Sequence, residues 1–324
     1  STEGAPIPVL ISNEGGTIMK VDMLCGQNEI PIEIPDDAVE LNPTLPAALS
    51  DPTTAVQEAI THPIGTPALS VLAQGHRNVC VVISDVTRPV PNKIILPPML
   101  RTLEDAGIKR ENITILIATG MHRPNLGEEL EQMVGPEIMG NYKIVNHYCR
   151  KEEDLRKIAD IDGASIEINK HYLDADLKIL TGLIEPHMYA GYSGGRKSIL
   201  PGISSFKTMT FMHSFQMIDH PNVTNCKLDD NPFHAAGEKV SQLAGVDFIL
   251  NVVINKQREL VGVFAGHHTS AHRSGCNMVE QMSVQRMRTP VDLVVSSAGG
   301  YPLDATFYQV SKGLIAASNI IREG

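Results

Sequence analysis

Residues 185–202, EPHMYAGYSGGRKSILPG, place a histidine (His187), three clustered glycines (Gly191, Gly194, Gly195) and a basic pair (Arg196, Lys197) in one short segment. Glycines let a backbone approach a ligand closely, and the basic pair is placed for an anion or an electrophile. Like-charge repulsion from Arg196 favours a neutral Lys197 amine, a nucleophile suited to covalent cofactor attachment. The plain alternative is a surface Arg-Lys pair on a glycine turn. Tyr189, Tyr192 and the apolar Ile199-Leu200 argue against that reading. Residues 191–198 also look like a phosphate-binding loop, but Arg196 occupies a position where that loop needs glycine. A nucleotide-phosphate-binding module using Gly194–Lys197 therefore stays as the second hypothesis.

Four more clusters carry reactive groups. Ser84-Asp85-Val86-Thr87-Arg88-Pro89 offers an acceptor, a hydroxyl and a guanidinium that can grip a carboxylate or phosphate bidentately. Asp85 can orient that arginine or a ligand hydroxyl; as a bland alternative it caps a turn. Thr119-Gly120-Met121-His122-Arg123-Pro124 brings a histidine able to act as a general base near neutral pH. His213 has apolar neighbours and is either a satisfied core histidine or a ligand for a borderline metal such as nickel or zinc. Gln309 and Lys312 are spaced i, i+3 and share one face at the start of a helix. The other histidines form no metal-ligand spacing.

These clusters need a scaffold that brings distant positions to one edge. Apolar runs at Asn78–Ser84, Asn112–Ala118, Tyr142–Asn146 and Leu177–Leu183 read as buried strands. Helical patterns at Ile94–Ala106, Leu126–Val134, Phe206–Met212 and Phe233–Ala244 alternate with them. That rhythm predicts an α/β fold with a mainly parallel sheet covered by helices on both faces. The Asp85, His122 and His187 clusters then all follow strand ends, where such sheets bind ligands. A helix is expected at Thr53–Thr61, and short strands at Pro8–Ser12, Thr17–Leu24 and Ile30–Ile34. A late hairpin (Phe248–Ile254, Leu260–Gly266) precedes a helix near Ser270–Met287, a buried strand at Val291–Ser297 and a last helix near Phe307–Arg322. The expected boundary divides an N-terminal α/β domain, residues 1–268, from the start of a smaller C-terminal α/β domain, residues 269–324, with the active site in the cleft.

The chain has 324 residues, 42% of them hydrophobic and 20% charged, as in ordinary globular domains. A formal net charge of -10 argues against a nucleic-acid surface. The five cysteines form no C-x-x-C pair, which fits reduced thiols. Neither a membrane-spanning run nor a signal-peptide pattern is present, so a cytoplasmic location is expected.

Taken together, Asp85-Val86-Thr87-Arg88-Pro89, Gly120-Met121-His122-Arg123-Pro124, and Glu185-Pro186-His187 leading to Gly194-Gly195-Arg196-Lys197 resemble the nickel-dependent lactate racemase family. His213 beyond the lysine and Tyr308-Gln309-x-x-Lys312 support the resemblance, which spans most of the chain. Asn125 departs from the pattern, standing where a threonine is expected in lactate-type members. The resemblance implies a nickel pincer nucleotide, a nicotinic-acid-derived cofactor that is covalently attached to Lys197 and receives His213 as the protein ligand to nickel. It implies that His122 and His187 are paired acid/base residues on opposite sides of the substrate carbon. Arg88 and Lys312 would hold the substrate carboxylate with Tyr308 and Gln309 nearby, and Asp85 and Thr87 would position the cofactor or Arg88. The expected reaction is racemisation or epimerisation of a small 2-hydroxy acid, lactate or a relative such as malate, through hydride transfer and a planar 2-keto acid. Cofactor-synthesis and insertion proteins are the implied partners. Relatives continue beyond Gly324, so a short or truncated C-terminal domain is expected.

Overall fold

A two-residue loop, Gly26-Gln27, with Gly26 at φ +59°, closes a hairpin of Ile18–Cys25 (β1) and Asn28–Pro35 (β2). The computed structural model describes residues 17–41, 46–285, 287–301, 304 and 307–322, with only the backbone of Tyr308 and Gln309. The expected strand Pro8–Ser12 lies outside them. Two units emerge. One holds the hairpin and the described residues from 287 onward; the other is Pro43–Gln285. In the first, the Gly26 N–H donates to Asp304, Tyr301 N–H donates to Gly26 O at 2.7 Å and Ser297 Oγ to Leu24 O at 2.6 Å.

The larger unit is built on a sheet whose strands are Val79–Ser84 (β3), Ile113–Ala118 (β4), Lys143–Asn146 (β5), Leu177–Leu183 (β8), Phe248–Ile254 (β11) and Leu260–Gly266 (β12). Between β5 and β8 runs a separate antiparallel hairpin, Leu155–Ile161 (β6) and Ala164–Asn169 (β7). The sheet order is β12-β11-β8-β3-β4-β5, parallel except for the β11/β12 pair. Its two faces sort by strand alternation. Val79, Val81 and Ile83 join one core; Cys80 and Val82 join the other. The helix Asn92–Asp105 covers the first face with Ile95, Leu96, Met99, Leu100 and Leu103. The helix Pro232–Ala244 brings Phe233, Val240 and Ala244 to the second. Full burial of each such side chain favours the fold by about 1.5–3 kcal/mol. The α/β class and the parallel sheet expected from the apolar runs are both present.

From β3 the chain proceeds outward through β4 and β5, then returns to place β8 on the other side of β3 and continues to β11. The strand order therefore reverses between β3 and β8, which opens a crevice at their carboxyl ends.

Three sequence expectations are corrected. Val291–Ser297 forms no strand: Val291 makes a single bridge to Ile321, while Leu293 and Val295 are exposed. Its apolar content resembled a buried strand, but among the described residues it has no ladder to join. The helix beginning at Ser270 ends at Ser283, because Val284 turns extended. The last helix stops at Ser318, where Ser318 Oγ and Asn319 Nδ2 both donate to the Ile315 carbonyl. The β6–β7 hairpin was not anticipated.

Candidate active site

Three loops meet at the carboxyl edge of β3, β4 and β8. After β3, Asp85 is buried and its Oδ1 accepts the Thr87 hydroxyl at 2.6 Å and the Thr87 N–H at 3.3 Å. Its Oδ2 lies 2.6 Å from His122 Nδ1, in the loop after β4. The Asp85 carboxylate thus holds Thr87 and the His122 imidazole. The carboxylate receives the Nδ1 proton, so the Nε2 lone pair faces outward on a side chain that is 55% exposed.

Arg88 follows Asp85 in the same loop after β3. Its NH1 donates to Glu185 Oε1 at 2.5 Å, joining the β3 and β8 loops. The sequence clusters named Glu185 only as a neighbour of His187 and did not reveal this role, since the pair is formed across a strand order invisible in sequence. Asn125 is buried and knots the neighbouring loop. It accepts the Val86 N–H at 3.2 Å, donates its amide to Glu129 at 2.8 Å and gives its backbone N–H to Asn146 Oδ1 at 2.8 Å.

Beyond Glu185 the chain makes two tiny strands, Pro186–His187 (β9) and Gly191–Tyr192 (β10), paired antiparallel. This turn folds the Tyr189 and Ala190 N–H groups onto His187 Nδ1, each at 3.2 Å. His187 Nε2 then sits 2.7 Å from Lys197 Nζ. The loop bearing Lys197 is tied to the His122 loop, because Gly120 N–H donates to Gly202 O at 2.9 Å.

The glycines and Arg196 do something other than cradle a ligand. Gly194 (φ +75°) and Gly195 (φ +52°) adopt the left-handed region, and a Cβ on either would meet Asn251 or the His272 ring at 2.9 Å. Protein fills the room that the missing side chains leave. Arg196 is buried, and its NH2 donates to Ala190 O at 2.6 Å and Tyr192 O at 3.2 Å, while NH1 lies 3.1 Å from His272 Nε2. These bonds lock the turn from inside. Asn251, buried on β11, takes the Gly195 N–H on Oδ1 at 2.8 Å and fixes the turn before Lys197. Sequence reasoning missed Asn251, which reads there as one polar residue inside an apolar strand.

His213 ends the helix Phe206–Met212. Its Nδ1 donates to Met209 O at 2.9 Å, which leaves the Nε2 lone pair for another partner. Burial pushes this histidine below its ordinary value, the Met209 carbonyl opposes that, and Lys197, when charged, adds to the lowering. The ring stands edge-on to Tyr189 and Phe233, at 6.0 and 5.5 Å between centroids. Tyr189 in turn lies 6.2 Å from the His187 ring.

The structure therefore brings together Asp85, Thr87 and His122, joins Arg88 to Glu185, and places His187 against Lys197 with His213 close by. Lys312 is half-buried on the helix Phe307–Ser318 of the other unit. Tyr308 and Gln309 begin the same helix, and their side chains fall outside the described residues. Among the described residues, no three His, Cys, Asp or Glu side chains converge as a metal site. A metal at His213 would thus find fewer than three such ligands among the described residues.

A mainly parallel α/β sheet thus carries, in loops at its carboxyl edge, one histidine on a buried carboxylate and a second against a lysine. Comparison with known proteins gives the family. The lactate racemase N-terminal domain matches residues 25–225, and the lactate racemase C-terminal domain matches residues 286–324. The chain belongs to the lactate racemase family. It is 40% identical over 270 residues to proteins named lactate racemase from Thermoanaerobacterium thermosaccharolyticum and Lactiplantibacillus plantarum, in each case 83% of this chain and 63% of the relative. The chain thus spans somewhat under two thirds of the length of these curated relatives. The lactate racemase apoprotein structure from T. thermosaccharolyticum superposes with a TM-score of 0.87 at 36% identity, over 94% of this chain and 72% of that one. A Thermotoga maritima protein shares the fold at a TM-score of 0.61 and 23% identity, over 76% of this chain and 63% of that one.

Proposed function

We propose that this chain carries the acid/base and cofactor-holding half of a 2-hydroxy acid racemase, with lactate the first substrate to test. The observation that supports this best is the pairing of His122 with Asp85 and of His187 with Lys197 on loops at one sheet edge. Racemisation needs a proton-handling group for each face of the substrate, and two histidines from separate loops supply them.

The α-hydrogen of a 2-hydroxy acid is very weakly acidic, because the neighbouring carboxylate is already charged. A histidine removing it as a proton would leave most of the barrier standing. A cofactor that accepts it as hydride avoids the carbanion, and a nickel pincer nucleotide supplies that chemistry when bound. The residues fit such a group: Lys197 offers an amine for covalent attachment, and His213 offers an unprotonated Nε2 to the metal. The chain's own contribution is to handle the hydroxyl proton. His122 Nε2 accepts it while Asp85 stabilises the resulting imidazolium. His187 serves the opposite face. Arg88 keeps N–H groups for the substrate carboxylate beside its bond to Glu185. The family resemblance gives Lys312, Gln309 and Tyr308 a part in substrate binding, and Thr87 steadies Asp85.

The described residues contain no helix long and apolar enough to cross a membrane, and the cysteine thiols are free. Free thiols fit a cytoplasmic setting, and cofactor-synthesis proteins are the partners this reading requires. The test is co-production with the cofactor-synthesis machinery, followed by mass spectrometry and chiral chromatography on lactate, malate and larger hydroxy acids. An adduct on Lys197, lost in Lys197→Ala, and interconversion of one acid's enantiomers are expected. No adduct and no nickel would sink the reading.

A further inference from the structure

Two buried asparagines, Asn125 and Asn146, knot together the carboxyl ends of the neighbouring strands β3, β4 and β5. Asn146 ends β5, and its side-chain amide grips the Asn125 backbone twice. Asn125 N–H donates to Asn146 Oδ1 at 2.8 Å, and Asn146 Nδ2 donates to Asn125 O at 3.0 Å. A side chain thus takes the place of further strand pairing and holds the β4 loop just beyond His122.

The Asn125 side chain ties this loop to the next. Its Oδ1 accepts the Val86 N–H at 3.2 Å, and its Nδ2 donates to Glu129 Oε2 at 2.8 Å, on the helix Gly127–Val134. Arg123 donates to both Glu129 oxygens, at 2.6 and 2.7 Å, and holds that carboxyl below its ordinary range. Burial opposes this lowering and Asn125 adds to it. The Val86 N–H can only donate and an ionised carboxylate can only accept, so one orientation of the Asn125 amide satisfies both. The Val86 N–H belongs to the same planar peptide as the Asp85 carbonyl. Fixing it fixes the backbone from which the Asp85 side chain leaves for His122 Nδ1, 2.6 Å away. Asn125 is itself 1% exposed, so its amide serves the protein and not solvent.

We propose that Asn125 is a positioning residue for His122: by clamping the β3 loop to the β4 loop it sets the Asp85–His122 pair, and the tautomer that leaves Nε2 unprotonated, before any substrate arrives. The value of that pair for catalysis rests on the racemase reading; the setting of the pair does not. Without the amide, Val86 loses its acceptor and the two loops move independently. The carboxylate then meets Nδ1 only part of the time. The ring proton divides between Nδ1 and Nε2, and His122 presents a donor where an acceptor is needed.

The full apo chain is labelled with 15N-histidine and the His122 ring is observed by NMR at mildly alkaline pH, with His122→Gln to identify its signals. The unsubstituted chain should show one tautomer, with the proton on Nδ1. Asn125→Ala and Asn125→Leu, which empty and refill the same space, should both shift toward Nε2–H. Their agreement separates the amide from packing, and either alone carries the test if the other does not fold. Asn125→Thr, whose hydroxyl still accepts the Val86 N–H, should lie between. Val56→Ala, a core change in the helix Pro52–Thr61, should lower Tm and leave the tautomer alone. After cofactor loading, kcat/KM on lactate should fall roughly 10- to 100-fold in Asn125→Ala and Asn125→Leu, carried mainly by kcat. Asn125→Ala and Asn125→Leu chains that keep the Nδ1–H tautomer, or a Val56→Ala chain that loses it as they do, would overturn the proposal. The tautomer shift without racemase activity in the loaded unsubstituted chain would leave it standing and remove the racemase reading. Racemase activity with an unmoved tautomer would do the reverse.

Discussion

His122 Nδ1 rests 2.6 Å from Asp85 Oδ2, with the carboxylate buried and the imidazole turned outward. That pair fixes which nitrogen of His122 is free and gives its protonated form a partner. Asp85→Asn keeps the shape but can present an amide donor to Nδ1, which reverses the tautomer. Activity should fall by about 10²-fold or more. Because the equilibrium constant between enantiomers is one, kcat/KM must fall by the same factor from either enantiomer. Measuring both directions checks the role and the assay together.

Arg88 is shared between Glu185 and the proposed substrate carboxylate. A charge-assisted hydrogen bond contributes about 1.5–3 kcal/mol, so Arg88→Lys should raise KM roughly 10- to 100-fold with a smaller loss in kcat. Glu185→Gln weakens the aim of Arg88 without deleting it, and its KM effect should be smaller. Steady-state kinetics on the best substrate separates the two. A loss confined to kcat would contradict a binding role.

Gly195 combines a left-handed backbone with a His272 ring where its Cβ would stand. Gly195→Ala should cost about 1–3 kcal/mol, read as a fall in Tm, and should perturb Lys197 through the turn they share. Gly26→Ala is the control: its φ is also positive, but nothing lies within 4 Å of the added Cβ. It should cost less and leave Lys197 untouched.

Much of this site was legible beforehand for a physical reason. Asp85, His122, His187 and Lys197 follow apolar runs, and a parallel sheet gathers strand ends at one edge. What was not legible depends on which strands become neighbours. Arg88 meets Glu185 because β8 returns beside β3, and Asn251 reaches Gly195 because β11 lies next to β8. Arg196 was read as a ligand group, since a charge beside glycines looks the same in sequence whether it faces a ligand or two internal carbonyls. The strand expected at Val291–Ser297 failed because apolar content does not supply a neighbour to pair with.

Buried neutral histidines set an acid limit on the fold. His147 is pushed down to about 4 and His234 to about 3, in both cases chiefly by burial. His147 Nε2 donates to Ser204 O at 2.9 Å, and Asn169 Nδ2 donates to Nδ1 at 3.0 Å, which leaves no room for a second proton. In the unfolded chain these groups titrate near 6.5. As pH falls below about 6.5 the unfolded state binds protons that the folded state does not, so stability is full above that value. It should decline down to about 4 for His147 and about 3 for His234. Urea unfolding at a series of pH values should show this decline. His147→Gln should be less stable at neutral pH but should flatten the part of the slope that His147 contributes.

The central claim is that His122 and His187 are the two proton-handling groups of a hydroxy acid racemase. Chiral chromatography of lactate incubated with the cofactor-loaded protein, its His122→Gln variant and its His187→Gln variant tests it most directly, with Lys197 occupancy matched by mass spectrometry. The account predicts racemisation by the unsubstituted protein and a loss of about 10²-fold or more, equal from D- and L-lactate, in each variant. Loaded variants that racemise lactate at the unsubstituted rate would contradict it.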